Sequence, residues 1–185
     1  MTCGYARSMR TIRYMKVRPA TSGFTLIEIL IVMVIIGILS TIGLGAFKST
    51  QVKSRDSRRK SDIKNISTAL EVYYNDKRRF PESSGGEVVA CGGQACDPGA
   101  QMADGPTVYM VQFPGDPSSN QYYYETDLEG SYFRLYARLE NEEDRQSAQV
   151  SGEPGEYSGT DCGVAACNYG VTSSNESLPA PVAAD

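Results

Sequence analysis

The longest apolar run in the chain covers residues 24–47, in which Glu28 is the only charged residue. A helix of these 24 residues would be about 36 Å long, which is enough to cross a hydrocarbon core of about 30 Å. A carboxylate inside such a helix costs about 2.5–3.5 kcal/mol on insertion scales, so it needs a partner. The pattern therefore predicts a transmembrane helix in which Glu28 has a specific task.

The apolar pattern changes after residue 48 from a continuous run to a single stripe. Four apolar residues repeat at positions i, i+3, i+7 and i+10, namely Ile63, Ile66, Leu70 and Tyr73. No proline interrupts the chain between residues 24 and 80, and Pro81 then ends the element. Residues 48–80 are predicted to form an amphipathic helix, continuous with the apolar one, whose stripe carries the rest of the protein.

Residues 81–185 are rich in glycine, serine, proline and aspartate and contain short strand patterns. Residues 121–126 and 131–139 predict a hairpin, because apolar and polar residues alternate in the second segment. Residues 82–106 are predicted to form a loop. The fold class is therefore α+β, with a long N-terminal α-helix, transmembrane in its first half, packed on a small antiparallel β-sheet head.

The formal net charge of −4 conceals a strong asymmetry along the 185 residues. Residues 48–80 hold ten basic and four acidic residues, a net charge of +6. Residues 81–185 hold three basic and seventeen acidic residues, a net charge of −14. Because an acidic head repels a polyanion, nucleic acid is not an expected partner of the head.

The sequence offers few residues for catalysis. It has no histidine, no glycine-rich phosphate loop, no serine in a nucleophile-elbow setting and no Cys-x-x-Cys pair. We therefore predict that the protein is not an enzyme and that it uses no cofactor.

The cysteines suggest disulfide bonds in the head. Cys3 precedes the apolar run, and the other four form two Cys-x4-Cys pairs, Cys91 with Cys96 and Cys162 with Cys167. An even number outside the cytoplasm favours disulfides over a zinc site. We favour the two local pairings, and pairing between the two loops stays open as the main alternative. No metal site is predicted. Calcium binding stays open for four head carboxylates, although they do not follow a calcium-loop spacing: Asp97, Asp116, Glu153 and Asp161.

The start of the apolar run resembles a known family. Gly23 to Glu28, Gly-Phe-Thr-Leu-Ile-Glu, are similar to the class III signal of type IV pilins and type II secretion pseudopilins. An ordinary secretory signal has a shorter apolar region and places its small residues after it, whereas here they come first. The resemblance implies that a membrane peptidase cuts between Gly23 and Phe24 and that the new N-terminal Phe24 is N-methylated. Met1 and Met15 both stay open as start residues.

The same resemblance implies how the protein assembles. Subunits of this family polymerise through the apolar helix, and we expect the Glu28 carboxylate to pair with the free amine of Phe24 on an adjacent subunit. A second, looser resemblance covers residues 105–140, where residues 114–117, Pro-Gly-Asp-Pro, precede a tyrosine-rich hairpin as in major pseudopilins. The implied regions are a leader (1–23), a transmembrane and assembly helix (24–47), an amphipathic stem (48–80) and a globular β-rich head (81–185).

The implied function is that of a structural subunit of a type IV pilus or a type II secretion pseudopilus. Its expected partners are copies of itself, other pilins, the prepilin peptidase, an inner-membrane assembly platform and membrane lipid. It would first be a single-pass protein of the cytoplasmic (inner) membrane with its head outside the cytoplasm, and then part of a periplasmic or cell-surface filament. The sequence does not decide between pilus and pseudopilus, or between major and minor subunit.

Two other functions stay open. One is a monomeric, membrane-anchored extracytoplasmic binding domain, and the other is a DNA-uptake (competence) pilin whose cations between Lys48 and Lys64 contact phosphates. The charge asymmetry adds a further expectation for a filament. Cations at the start of the stem would contact acidic residues on the heads of neighbouring subunits: Arg55, Arg58, Arg59 and Lys60.

The processing prediction can be tested at Gly23. We expect Gly23→Val to leave the precursor uncut, because the added side chain blocks access of the peptidase to the backbone. Gel mobility of the membrane fraction measures this directly, and a mature band like that of the unsubstituted chain would contradict the assignment of the cleavage site.

Overall fold

A computed structural model describes residues 23–118 and 120–184, with only the backbone described for residues 42–46. The predicted leader falls, apart from Gly23, outside the described residues, as do Cys3 and both candidate start residues. The chain divides into two units, one ending at Gly43 and one covering Leu44–Asp185. Each unit is described by itself below.

One helix, α1, runs from Leu26 to Lys77. Its last turn ends where Arg78 adopts a positive φ of 61°, the left-handed conformation that commonly terminates helices. Phe80 then donates its backbone N–H to the Gly130 carbonyl at 2.8 Å. Gly130 itself has a φ of 68°, and a Cβ there would lie 2.8 Å from the Phe80 carbonyl oxygen. This contact needs glycine on both counts.

The N-terminal unit exposes the apolar side chains of α1, with Leu26 84% exposed. Among the residues that the structure describes, no helix combines the length and the hydropathy that a membrane crossing requires. The predicted transmembrane helix over residues 24–47 includes residues 42–46, whose side chains fall outside the described residues.

The C-terminal unit packs its sheets on the predicted stripe of α1. Ile63, Ile66 and Leu70 are fully buried, and Tyr73 is partly buried against the same core. The head contributes Phe80, Tyr124, Phe133 and Leu135 to this cluster. Burial of these apolar side chains, each worth about 1.5–3 kcal/mol, is the main source of stability of the head.

Residues 82–104 form strands rather than the predicted loop. The first sheet contains five strands: β1 (Glu82–Ser84), β2 (Glu87–Cys91), β3 (Gln94–Ala95), β4 (Met102–Asp104) and β5 (Thr107–Met110). Its order is β1-β2-β4-β5, with β3 also pairing with β2. All pairs are antiparallel except β2 with β4, which pair in parallel where Cys91 faces Ala103.

The second sheet contains the predicted hairpin. Its strands are β6 (Tyr123–Thr126), β7 (Phe133–Ala137) and β10 (Tyr169–Thr172), in the order β10-β7-β6. Both pairings are antiparallel, and Tyr124 lies opposite Leu135. A third sheet joins three short strands in the order β11-β9-β8: β8 (Gln149–Val150), β9 (Glu153–Glu156) and β11 (Val182–Ala183). The predicted α+β fold, a helix on antiparallel sheets, is confirmed.

The four cysteines of the head form two local disulfides. Cys91 is bonded to Cys96 with their Cα atoms 5.1 Å apart, and Cys162 to Cys167 with 5.3 Å between the Cα atoms. The first bond closes the β2–β3 hairpin, and the second lies in a buried cluster with Tyr136 and Tyr157. The structure thus has the local pairing and not the pairing between the two loops.

Candidate functional site

The predicted cleavage site is open in the structure. Among the described residues beyond its immediate chain neighbours, no heavy atom lies within 4 Å of the position that a Cβ on Gly23 would occupy. Phe24, the next residue, is 85% exposed. The fold therefore places no demand of its own on glycine at this position, and the bond between Gly23 and Phe24 is accessible to an external enzyme.

Glu28 has local partners at the start of α1. Its Oε2 atom accepts hydrogen bonds from the backbone N–H and the hydroxyl of Thr25, each at 2.8 Å. The Thr25 hydroxyl accepts in turn from the Glu28 backbone N–H at 3.3 Å. This reciprocal arrangement is a capping box, which the Thr-x-x-Glu spacing in the sequence signals. Glu28 forms no ion pair with any residue that the structure describes.

Around Glu28, the helix presents apolar side chains on all sides. Each of the following is about half exposed or more: Ile27, Ile29, Leu30, Ile31, Val32, Met33, Val34, Ile35, Ile36, Ile38 and Leu39. A contiguous apolar surface of this kind marks contact with lipid or with other apolar elements. The segment can serve as an anchor, as an assembly helix, or as both in turn.

A buried guanidinium lies where α1 meets the head. The Arg59 side chain is 0% exposed and contacts three carboxylates. Its Nε donates to Asp116 at 2.6 Å, its Nη1 donates to Asp56 at 2.7 Å, and its Nη2 lies 2.8 Å from a Glu140 oxygen. Nη2 also donates to the Ser118 hydroxyl at 2.7 Å. We call Arg59 with Asp56, Asp116 and Glu140 the Arg59 cluster.

The charges of the Arg59 cluster stabilise one another. Burial alone would lower the pKa of Arg59, but hydrogen bonds to Asp116, Glu140 and Asp56 outweigh it and raise that pKa. Burial would raise the pKa of Asp116, and the hydrogen bond from Arg59 instead holds it below its usual value. The hydrogen bond from Arg55 lowers the pKa of Glu140 to about 2, with Arg59 contributing in the same direction. Arg59, Asp116 and Glu140 are therefore ionised at neutral pH.

Other ion pairs extend the contact between stem and head. Arg55 binds Glu140 through two nitrogens, its Nε donating at 2.8 Å. Lys60 donates to Asp144 at 2.7 Å, which lowers the pKa of Asp144. Asp56 accepts the backbone N–H groups of Glu140 and Asn141, at 3.0 and 2.9 Å. The 140–144 segment is thus fixed to the first turns of the stem within the C-terminal unit.

These pairs correct the expectation that the stem cations contact neighbouring heads. Arg55, Arg59 and Lys60 pair with acids of their own head, and Arg59 is inaccessible to a neighbour. Arg58 alone of the four stays mostly exposed, with its side chain 63% accessible and its Nε 3.7 Å from Asp62. The charge asymmetry is therefore used first to join stem and head within one chain.

The described residues contain no group of three or more histidine, cysteine or acidic side chains that could hold a metal ion. Asp116, one of the carboxylates weighed for calcium, is instead bound to Arg59. The four head cysteines are all in disulfides and are not available as metal ligands.

Comparison with protein families gives two matches that adjoin one another. A family described as the prokaryotic N-terminal methylation motif matches residues 18–44. A family described as type II secretion system (T2SS), protein G matches residues 47–148. The first match contains the predicted cleavage site and Glu28, and the second contains the stem, the Arg59 cluster and the central hairpin.

Individual relatives agree with the family matches. The type II secretion system core protein G of Pseudomonas aeruginosa is 33% identical over 122 residues, which cover 65% of this chain and 84% of the relative. The core protein G of Aeromonas hydrophila is 32% identical over 103 residues, 55% of this chain and 70% of the relative. The type IV major pilin protein PilA of Myxococcus xanthus is 37% identical over 71 residues, 38% of this chain and 32% of the pilin. No solved structure matches the chain.

The Arg59 cluster generates a stability prediction. Arg59→Met should lower the free energy of unfolding of the head by about 3–5 kcal/mol, because it leaves buried carboxylates without their cation. Arg58→Met is the matched control, and its exposed position predicts a change within about 0.5 kcal/mol. Denaturant unfolding of the full chain in detergent micelles, followed by near-ultraviolet circular dichroism, measures both. Equal losses for the two variants would contradict a special role of Arg59.

Glu140 generates a pH prediction. Its pKa is about 2 in the folded chain against an ordinary value of 4.5, so its contribution to stability is present above pH 4.5 and is lost as the pH falls towards 2. Glu140→Gln should therefore lower the melting temperature at pH 6 and flatten its decline between pH 4.5 and 2. Glu143→Gln, an exposed acid in the same segment, serves as the control. If both variants kept the slope of the unsubstituted chain, Glu140 would not be the titrating group.

Proposed function

The chain belongs to the family of type II secretion system protein G, and from this premise we propose that it is a filament subunit which polymerises through its apolar N-terminal helix. The observation that carries the proposal is the order of the two family matches. A methylation motif over residues 18–44 leads directly into the protein G match over residues 47–148. A structural role in a pilus or pseudopilus follows from this family, whose members are filament proteins.

We favour a pseudopilus over a type IV pilus. The Pseudomonas aeruginosa protein G matches over 84% of its length, including head residues, whereas the Myxococcus xanthus pilin matches over 32% of its length. A head shared with protein G supports a secretion filament, since the head is the part of a subunit that the outside of a filament presents. A DNA-uptake pilin is less well supported, because the head carries a net charge of −14 over residues 81–185.

Four regions follow from the proposal. Residues 1–23 are a leader that the prepilin peptidase removes, residues 24–47 anchor the chain in the cytoplasmic membrane and later form the assembly helix, residues 48–80 are the stem, and residues 81–185 are the head. The motif match over residues 18–44 and the exposed apolar side chains of α1 support the first two regions. Two disulfides suit a head in an oxidising compartment outside the cytoplasm.

Glu28 is the residue on which assembly depends in this proposal. After cleavage, the amine of Phe24 becomes the N-terminus, four residues before Glu28 in sequence. In a bundle of apolar helices a carboxylate and an ammonium group of adjacent subunits would neutralise each other, where either alone would be costly. The capping box with Thr25 satisfies Glu28 within a single subunit, so the carboxylate has a partner both before and after assembly.

The assembly prediction is made on Glu28. Glu28→Ala should leave leader cleavage, membrane insertion and both disulfides intact, and should reduce filament yield at least about tenfold, which corresponds to about 1.4 kcal/mol. The reduction follows because the neighbouring amine would remain unpaired in an apolar bundle. Glu143→Ala, which removes an exposed head carboxylate, is the control and should assemble normally. Quantifying sheared filaments by immunoblot measures the yield, and a normal yield from Glu28→Ala would reject this role.

A further inference from the structure

The ion pairs within the chain leave a defined set of stem cations without a partner. Lys48, Lys53 and Lys64 are exposed and form no ion pair with any residue in the described part of the chain. Each of the neighbouring cations Arg55, Arg59 and Lys60 is held by an acid of its own head. Among the described residues, the stem cations without an ion pair are therefore Lys48, Lys53, Lys64 and, at its far end, Arg78.

The head carries the opposite surplus. Six of its acidic residues are exposed and have no ion pair among the residues that the structure describes: Glu87, Asp97, Glu129, Glu143, Glu153 and Asp161. Two such heads repel each other, whereas a head and an exposed lysine of another copy attract. The charges that remain after folding are thus complementary between copies, with stem and head as the two sides.

Two of the lysines share one face of α1. Lys53 and Lys64 are eleven residues apart, which at 100° per residue leaves them about 20° apart around the axis and about 16 Å apart along it. Ser57 lies between them on the same side and is also exposed. We call Lys53, Ser57 and Lys64 the lysine face. It points away from the buried stripe of Ile63 and Ile66.

The lysine face borders a recess on the head side. Lys53, Asp56, Ser57 and Lys60 of α1 line a crevice of about 230 Å³, together with Asn141 and Asp144 from the segment after β7. Asp56 is paired with Arg59 and Asp144 with Lys60, so Lys53 is the one charged lining residue without an ion pair among the described residues. Pockets for small organic ligands usually occupy about 300–1,000 Å³ and are mostly apolar. This crevice is smaller, and all six of its lining residues are polar or charged. Its size suits a single inserted side chain, and the charge of Lys53 favours one with a carboxylate at its end.

We propose that the lysine face is the docking surface for the acidic head of a second copy of this chain, with one carboxylate entering the crevice beside Lys53. The inference rests on the proposed filament function and adds the surfaces through which heads and stems of adjacent subunits meet. The two surfaces differ, so the contact is heterologous. A heterologous contact that does not close on itself generates a helical filament.

The position of Lys64 favours an acidic head over an anionic lipid surface as the partner of the lysine face. It lies sixteen residues beyond Lys48, which is about 24 Å of helix. The potential of an anionic membrane falls off within a Debye length, about 8 Å at physiological salt. A membrane surface at the level of Lys48 would attract Lys48 and reach towards Lys53, but it would leave Lys64 without a partner. An acidic head of another copy can contact both lysines of the lysine face.

The first experiment reverses the lysine face in the full chain. We expect filaments of the double variant K53E/K64E to be at least about fivefold less abundant after dilution into low salt, and the deficit to shrink in 1 M salt, where the Debye length is about 3 Å. The matched control is R78E/R145E, which makes the same change of net charge at two exposed cations without an ion pair among the described residues. The control should behave like the unsubstituted chain.

The second experiment identifies the partner. Filaments mixed from ¹⁵N-labelled and unlabelled subunits are treated with a zero-length carbodiimide, and peptides that combine both labels report contacts between copies. We expect Lys53 or Lys64 to be joined to a head carboxylate of a differently labelled subunit. Pairs within a single copy, such as Lys60 with Asp144, supply the internal control for the reaction.

The outcomes separate the inference from the proposed function. Equal filament stability for K53E/K64E and the unsubstituted chain, or mixed-label crosslinks that avoid both lysines, would overturn the inference and leave the filament function standing. Loss of binding to vesicles of anionic phospholipid with unchanged filament stability would assign the lysines to lipid and would equally overturn it. If the unsubstituted chain formed no filaments at all, the proposed function itself would fail.

Discussion

The buried guanidinium of Arg59 is the constraint on which the arrangement of stem and head depends. An unpaired charge in this position would be costly, and the chain meets the cost with carboxylates from three separate segments. Asp56 comes from the same helix, Asp116 from the turn before β6, and Glu140 from the segment after β7. Each segment has to reach the same point on the helix for the cluster to form.

The apolar core and the Arg59 cluster contribute different things. The core of Ile63, Ile66 and Leu70 provides non-directional free energy, which tolerates small sliding movements of a sheet along a helix. Hydrogen bonds to a planar guanidinium have fixed directions and distances of 2.6–2.7 Å to Asp116 and Asp56, so they tolerate little sliding. We interpret the cluster as the element that fixes the axial position of the head on its stem. A filament subunit requires a fixed axial position of its head, because the placement of each head along the filament depends on it.

Sequence periodicity predicted the elements that are defined by a regular local spacing of apolar residues. The stripe of α1 and the β6–β7 hairpin follow from spacings of 3.6 and 2 residues, and both are present. Periodicity could not predict the strands within residues 82–104, because they have only two to five residues each and the β2–β4 pair depends on a non-local parallel contact. The sequence also contains an indication that Arg59 is buried. Arg59 lies four residues before Ile63 and so continues the stripe, although its neighbours in sequence are cations.

The residues predicted for processing and assembly show what the structure of a single chain cannot explain. The sequence identifies Gly23, Phe24 and Glu28 through a motif, yet the fold of one subunit gives Glu28 only the local partner Thr25. A residue whose main partner belongs to another copy cannot be explained by the structure of a single chain. In the proposed assembly, the capping box with Thr25 satisfies the carboxylate before the amine of a neighbouring copy becomes its partner.

The division of charge follows the same order of events. Arg55, Arg59 and Lys60 form ion pairs when the head folds on its stem, whereas Lys53 and Lys64 form none within the described part of a single chain. Because the heads remain strongly acidic, two subunits that meet in dilute solution repel one another through their heads. Exposed pairs are weak, so the lysine face cannot hold subunits together without the apolar helices. Cohesion would then come from the helices and orientation from the charges, which allows assembly only where the apolar segments are already brought side by side.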